Sequence, residues 1–70
     1  MNIQGRRFLV VTNDWDSAKR AIPIDCITLL IEFQDENKTS IYYYHDNEEE
    51  RFGARESFES IMAGDHTVVL

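Results

Sequence analysis

An α+β fold, a small antiparallel β-meander closed by one short C-terminal helix, is predicted by three observations. Ile27, Leu29, Ile31 and Phe33 alternate with Thr28, Leu30, Glu32 and Gln34, the two-residue period of a sheet strand. Thr39 to His45 is a β-prone run that places Ile41 and Tyr43 on one face and Tyr42 and Tyr44 on the other. Ser57 stands ready to cap a helix in which Phe58, Ile61 and Met62 share a face, and Gly64 can end it in the left-handed conformation. Four to five strands in a partly barrel-like arrangement are expected, over residues 1–70 as one domain.

The first strand is expected at Arg7 to Thr12, where Phe8-Leu9-Val10-Val11 suits a strand covered on both faces. Asn13-Asp14-Trp15-Asp16-Ser17 then breaks it, because these side chains bond their own backbone. Trp15 is expected to fold back onto the core. Pro23 lacks an N–H and disfavours helix at Ile22, so Ala18 to Ile24 is read as a short edge strand ending at Pro23.

The alternating strand follows, with Ile27, Leu29, Ile31 and Phe33 as its core face. Asp35-Glu36-Asn37-Lys38 has the length and composition of a hairpin loop. Asp46-Asn47-Glu48-Glu49-Glu50 carries four acidic residues in five and is read as a solvated turn, with a brief strand from Arg51 to Arg55. Phe58, Ile61 and Met62 are expected to seal the open end of the core. Thr67-Val68-Val69-Leu70 either adds an edge strand or offers one to a partner.

Seventy residues fill one core and leave its stability thin, since a domain this small buries only about 60% of its unfolded surface. Cys26 is the single cysteine, so neither a disulfide within the chain nor a paired-cysteine zinc site is available. A reducing, cytoplasmic setting is the expectation. The N-terminal Met-Asn-Ile-Gln-Gly-Arg-Arg-Phe does not read as a signal peptide, and Ala21 to Phe33 is too short and too charged to span a membrane.

Seven basic and thirteen acidic residues give a net charge of −6. Nucleic acid is therefore an unsuitable direct ligand, because neutralising phosphates takes clustered Lys and Arg. A basic protein surface is the electrostatic complement, and solubility alone also accounts for the charge.

The order Phe8-Leu9-Val10-Val11-Thr12, Ala21-Ile22-Pro23-Ile24-Asp25-Cys26-Ile27, a hairpin, and Glu56-Ser57-Phe58-Glu59-Ser60-Ile61 resembles the short FlbD-like proteins of flagellar operons. The shared features are a strand end like Ile-x-Pro-Asp and a helix start of Glu-Ser-aromatic character. Ile24 stands between Pro23 and Asp25, a departure from that pattern. What the resemblance implies is architecture, a β-meander closed by a short C-terminal helix.

Candidate chemistry is sparse. Asn13, Asp14 and Asp16 could offer oxygen ligands to a hard cation, but an EF-hand count from Asp14 meets Lys19 and Asp25 where glycine and glutamate belong. Self-capping of a turn accounts for the same residues, so no metal and no cofactor are expected. His45-Asp46 and Asp65-His66 each set an imidazole beside a carboxylate, yet sequence neighbours on a strand point apart. Cys26 sits between Asp25 and Ile27, which disfavour a thiolate, and is read as a small buried hydrophobe. No phosphate-binding glycine loop or nucleophile motif occurs.

The chain is thus expected to be a non-catalytic regulatory or adaptor module that binds a protein through a tyrosine-rich sheet face or an exposed strand edge. Tyr42 and Tyr44 supply a face suited to an interface core, and Asp35, Glu36, Asp46, Glu48, Glu49 and Glu50 supply an acidic rim. A homodimer is an open form of the same expectation. The alternative is an inhibitor of the kind mobile elements encode, whose acidic loops imitate nucleic acid and occupy a basic groove.

Overall fold

Six strands, one short helix and one 3-10 turn make up the fold of the computed structural model, which describes residues 5–70. The reading of the N-terminus as carrying no leader falls partly on residues 1–4 and lies outside the described residues.

β1 (Arg7–Thr12) buries Leu9 and Val11 and leaves Phe8 and Val10 half-covered. It ends where Asn13 Oδ1 accepts from the Trp15 N–H at 2.8 Å and Asp16 Oδ1 accepts from the Ala18 N–H at 2.9 Å. These bonds hold the turn beyond the end of the strand pair, so Trp15 does not reach the core. It is 92% exposed, a correction to the sequence expectation. β2 (Lys19–Pro23) pairs antiparallel with β1 as an edge strand and stops at Pro23, as its missing N–H requires. A 3-10 turn, Ile24–Cys26, leads on and leaves Cys26 half-buried rather than enclosed.

β3 (Ile27–Phe33), β4 (Lys38–His45) and β5 (Glu48–Ala54) form the second sheet in that order. The β4–β5 link is a two-residue turn in which Asp46 and Asn47 take φ of 53° and 65°. Both central residues of the tightest hairpin turn need positive φ, and Asp and Asn tolerate it best after glycine. The expected five-residue acidic turn is corrected accordingly: Glu48, Glu49 and Glu50 pair with His45, Tyr44 and Tyr43 as part of β5.

α1 (Phe58–Met62) starts where the Ser57 hydroxyl oxygen accepts from the Ser60 N–H at 3.2 Å. Gly64 ends it at φ 84°, while its own N–H bonds Ile61 O and the Asp65 N–H bonds Ser60 O, the paired closure of a helix C-terminus. Five residues give little more than one turn, so only Ile61 of the expected sealing face is buried, and Met62 stands in solvent. β6 (Thr67–Val69) pairs antiparallel with β1, so the C-terminal run adds an edge strand to the first sheet, ordered β2-β1-β6.

The sheets meet at one seam. Asn13 bridges Ala54, with the Asp14 N–H bonding Gly53 O at 2.8 Å and the Arg55 N–H bonding Thr12 O at 2.9 Å. Among the described residues, six strands in two three-stranded sheets replace the four to five expected, and no barrel closes, because β2, β6 and β3 remain sheet edges and β5 meets the first sheet only at the Asn13 bridge. Leu9, Val11, Ile22, Ile41, Phe52, Ala54 and Ile61 form the core between the sheets, with Ile27, Leu30 and Tyr43 packed against it. Tyr43 meets the Phe52 ring edge-on, with centroids 5.8 Å apart, and the Arg20 guanidinium covers Phe52 from outside at 5.6 Å.

Candidate functional site

The sequence places Tyr42 and Tyr44 opposite Ile41 and Tyr43, and the structure keeps that division: Ile41 is fully buried and Tyr44 is exposed. Residues directly opposed across an antiparallel pair share a face. Leu29 opposes Tyr42, Ile31 opposes Ser40 and Phe33 opposes Lys38, so the outer face of the β3-β4-β5 sheet carries Leu29, Ile31, Phe33, Tyr42 and Tyr44 together.

This reverses the expected orientation of β3. The pairing jumps from Ile27↔Tyr43 to Leu29↔Tyr42, so two residues of β3 advance against one of β4. Thr28 is the extra residue of a β-bulge, its hydroxyl donating to Tyr42 O at 3.3 Å and lying 3.3 Å from Glu49 Oε2. Beyond the bulge the alternation is inverted. Ile27 and Leu30 face the core, while Leu29 is 51%, Ile31 36% and Phe33 48% exposed, beside Tyr44 at 52%. Four large apolar side chains in contact with water on adjoining strands form a patch, whereas single exposed ones need no account.

Charged groups frame the strip. The Arg51 guanidinium lies 5.9 Å from the Tyr42 ring centroid and half-covers that tyrosine. At the other end Lys38 Nζ meets Asp14 Oδ2 at 3.0 Å, and Arg55 Nε lies 3.4 Å from Asp14 Oδ1. The Lys38 hydrogen bond, aided by Arg55, holds the Asp14 carboxyl below its ordinary value. Asp16 pairs with Arg20 at 3.4 Å, so both aspartates of the Asn13–Ser17 turn serve as ion-pair partners.

The acidic residues do not gather into one surface. Asp35 and Glu36 lie in the β3–β4 turn, and Asp46 with Glu48, Glu49 and Glu50 lie around the β4–β5 turn, at opposite ends of the eight-residue β4. That is a separation of about 26 Å at the rise of a strand. Glu49 points outward opposite Tyr44, whereas Glu50 opposes Tyr43 on the inner side. Burial first, then the Glu50 charge, pushes the Tyr43 hydroxyl up.

His45 and Asp46 are 3.4 Å apart and both open to solvent. His66 Nε2 lies 3.0 Å from Ser60 Oγ rather than engaging its sequence neighbour Asp65. Ser60 Oγ donates to Ser57 O at 2.9 Å and accepts from Ser57 Oγ at 3.0 Å. The serine proton is thus directed at a backbone carbonyl, and the imidazole ties the segment after α1 back to the middle of the helix.

Leu29, Ile31 and Phe33 are the site residues that reading the sequence assigned to the core. Their signal was present, since a strand whose two faces are both apolar at Leu29 and Leu30 leaves its orientation to pairing. Among the described residues no helix is long and apolar enough to cross a membrane. Comparison with protein families, with curated proteins and with solved structures finds no match for this chain.

Proposed function

We propose that the chain is a non-catalytic protein-binding module that engages its partner through the outer face of the β3-β4-β5 sheet. The observation that carries this reading is the solvent-facing strip of Leu29, Ile31, Phe33 and Tyr44. A domain with so small a core gains stability from every apolar side chain it encloses, so leaving these four outside favours a role in association. Tyr42 and Tyr44 are the aromatic anchors, and Arg51, Glu49, Asp46 and Glu48 form a polar rim at one end. Asp35, Glu36 and Glu50 steer a basic partner without touching the strip's centre.

A regulatory or adaptor role in the cytoplasm belongs to the same proposal, supported by the single cysteine and the acidic balance. Kinship with FlbD-like proteins is proposed on sequence pattern alone and contributes nothing to the choice of partner. The nucleic-acid-mimic alternative has less support, because its two acidic groups stand at opposite ends of β4.

The test is capture of binding proteins by the immobilised chain at low and high salt, repeated with two variants. Phe33→Ser with Tyr44→Ala is expected to lose the salt-resistant partner, a loss of about 2 kcal/mol or more for anchors of this kind. Glu48→Gln, Glu49→Gln and Glu50→Gln together are expected to keep it. The reverse pattern would transfer the role to the acidic hairpin and refute the proposal.

A further inference from the structure

Among the described residues the two sheets have four edges, and three are protected. β2 carries Lys19, Arg20 and Pro23, β6 is three residues long, and β5 is charged along Glu48–Glu50 and covered near its end by the Asn13 bridge. Such charges, prolines, short lengths and covers are the usual means of keeping a strand edge from pairing with another chain. β3 has seven residues, one charge at Glu32, and a bulge only at its start. Its free edge runs between two apolar rims. Leu29, Ile31 and Phe33 line the outer side, and on the inner side exposed Ile24 and Met62 flank a groove of about 370 Å³ that reaches Leu30 and Ile61.

Building on the binding role of this strand proposed above, we infer that the occupant of the β3 edge is β3 of a second copy, paired antiparallel about a two-fold axis at Ile31. In that register Ile31 opposes its own counterpart, Leu29 opposes Phe33 of the second copy, and Leu30 opposes Glu32 of the second copy. Every outward pair is apolar, the bulge at Thr28 lies outside the central pairs, and the two glutamates are offset along the strands. A self-complementary patch is what a two-fold interface demands.

Net charge selects this geometry over stacking of the two outer faces. Edge pairing gives the order β5-β4-β3-β3-β4-β5, which sets the two acidic β5 strands five strand spacings, about 24 Å, apart. That is well beyond the Debye length of about 8 Å at physiological salt. Stacked sheets lie about 10 Å apart and would bring the Glu49 side chains of both copies towards each other. Pairing along one seven-residue strand edge is a small contact, so the dimer is expected to be weak and concentration-dependent, dissociating in about the micromolar range or above.

Sedimentation velocity of the full chain from about 5 μM to about 1 mM, a range spanning micromolar affinity, is expected to show a monomer shifting to a dimer. Ile31→Lys sets two like charges face to face and is expected to stay monomeric throughout, with its far-ultraviolet circular dichroism unchanged because the side chain points outward. Cys26→Ser/Ile31→Cys is expected to form a disulfide-linked dimer on mild oxidation, since opposed Cα atoms lie about 4.5–5.5 Å apart, within disulfide reach. Cys26→Ser/Leu29→Cys, whose thiol would face Phe33, is expected to form none. A monomer at every concentration, or a dimer that Ile31→Lys leaves intact, would overturn the inference. If the chain is monomeric yet Phe33→Ser with Tyr44→Ala still abolishes capture of another protein, the dimer alone fails and the protein-binding role stands.

Discussion

Glu56 accepts two hydrogen bonds from Thr12, one from its backbone N–H at 2.9 Å and one from its hydroxyl at 3.0 Å. Its own carbonyl accepts from the fully buried Thr39 hydroxyl at 3.0 Å, so one residue joins the end of β1, the start of β4 and the approach to α1. Burial alone would push the Glu56 carboxyl up. The bonds from Thr12, a bond from its own backbone N–H and the nearby His66 outweigh it and hold the group below the ordinary carboxylate value.

A folded-state value lower than the unfolded one means that the unfolded chain binds more protons, so stability from Glu56 rises with pH. It is fully present above the unfolded value of about 4.3 and is lost as pH falls through the folded value. Glu56→Gln is expected to cost about 1 kcal/mol at pH 7, the lower end for bonds to a charged group because the site is partly solvated. Urea unfolding of both proteins at stepped pH checks this: the difference should shrink below about pH 4, and one that stays constant would refute the assignment.

Leu29 and Leu30 are neighbours with opposite fates, and substituting each with threonine separates them. Threonine suits a strand, so Leu29→Thr on the outer face is expected to change stability by no more than about 0.5 kcal/mol. Leu30→Thr withdraws an apolar side chain from the core and brings a hydroxyl towards it, at an expected cost of about 1.5 kcal/mol or more. Equal costs in thermal or urea unfolding would contradict the bulge-shifted facing of β3.

The β4–β5 turn holds Asn47 at φ 65°, a conformation glycine adopts without steric cost. Asn47→Gly creates an Asp-Gly pair, the strongest short hairpin signal, and is expected to raise stability by about 0.5 kcal/mol. A destabilised variant would mean that the Asn47 side chain makes a contact worth more than the relief of its backbone.

Much of the fold was legible because it rests on local chemistry. The end of β2 at Pro23, the Ser57 cap, the Gly64 terminus and the split of Ile41 and Tyr43 from Tyr42 and Tyr44 all follow from one residue's geometry or from strict alternation. The acidic hairpin was less legible. A run of glutamates reads as a solvated turn when like charge is all that is considered, but Asp46 and Asn47 complete the reversal alone, and Glu48 to Glu50 find partners on β4.

The sequence by itself determined where the chain reverses, where its helix starts and stops, and which tyrosines lie back to back. Tertiary structure alone decided which side of β3 meets water. Leu30 puts an apolar residue on the otherwise polar face, and one extra residue at Thr28 inverts every side chain after it, so the choice belongs to the pairing with β4. The strip of Leu29, Ile31, Phe33 and Tyr44 exists because that pairing turns three residues outward which alternation alone would have placed in the core.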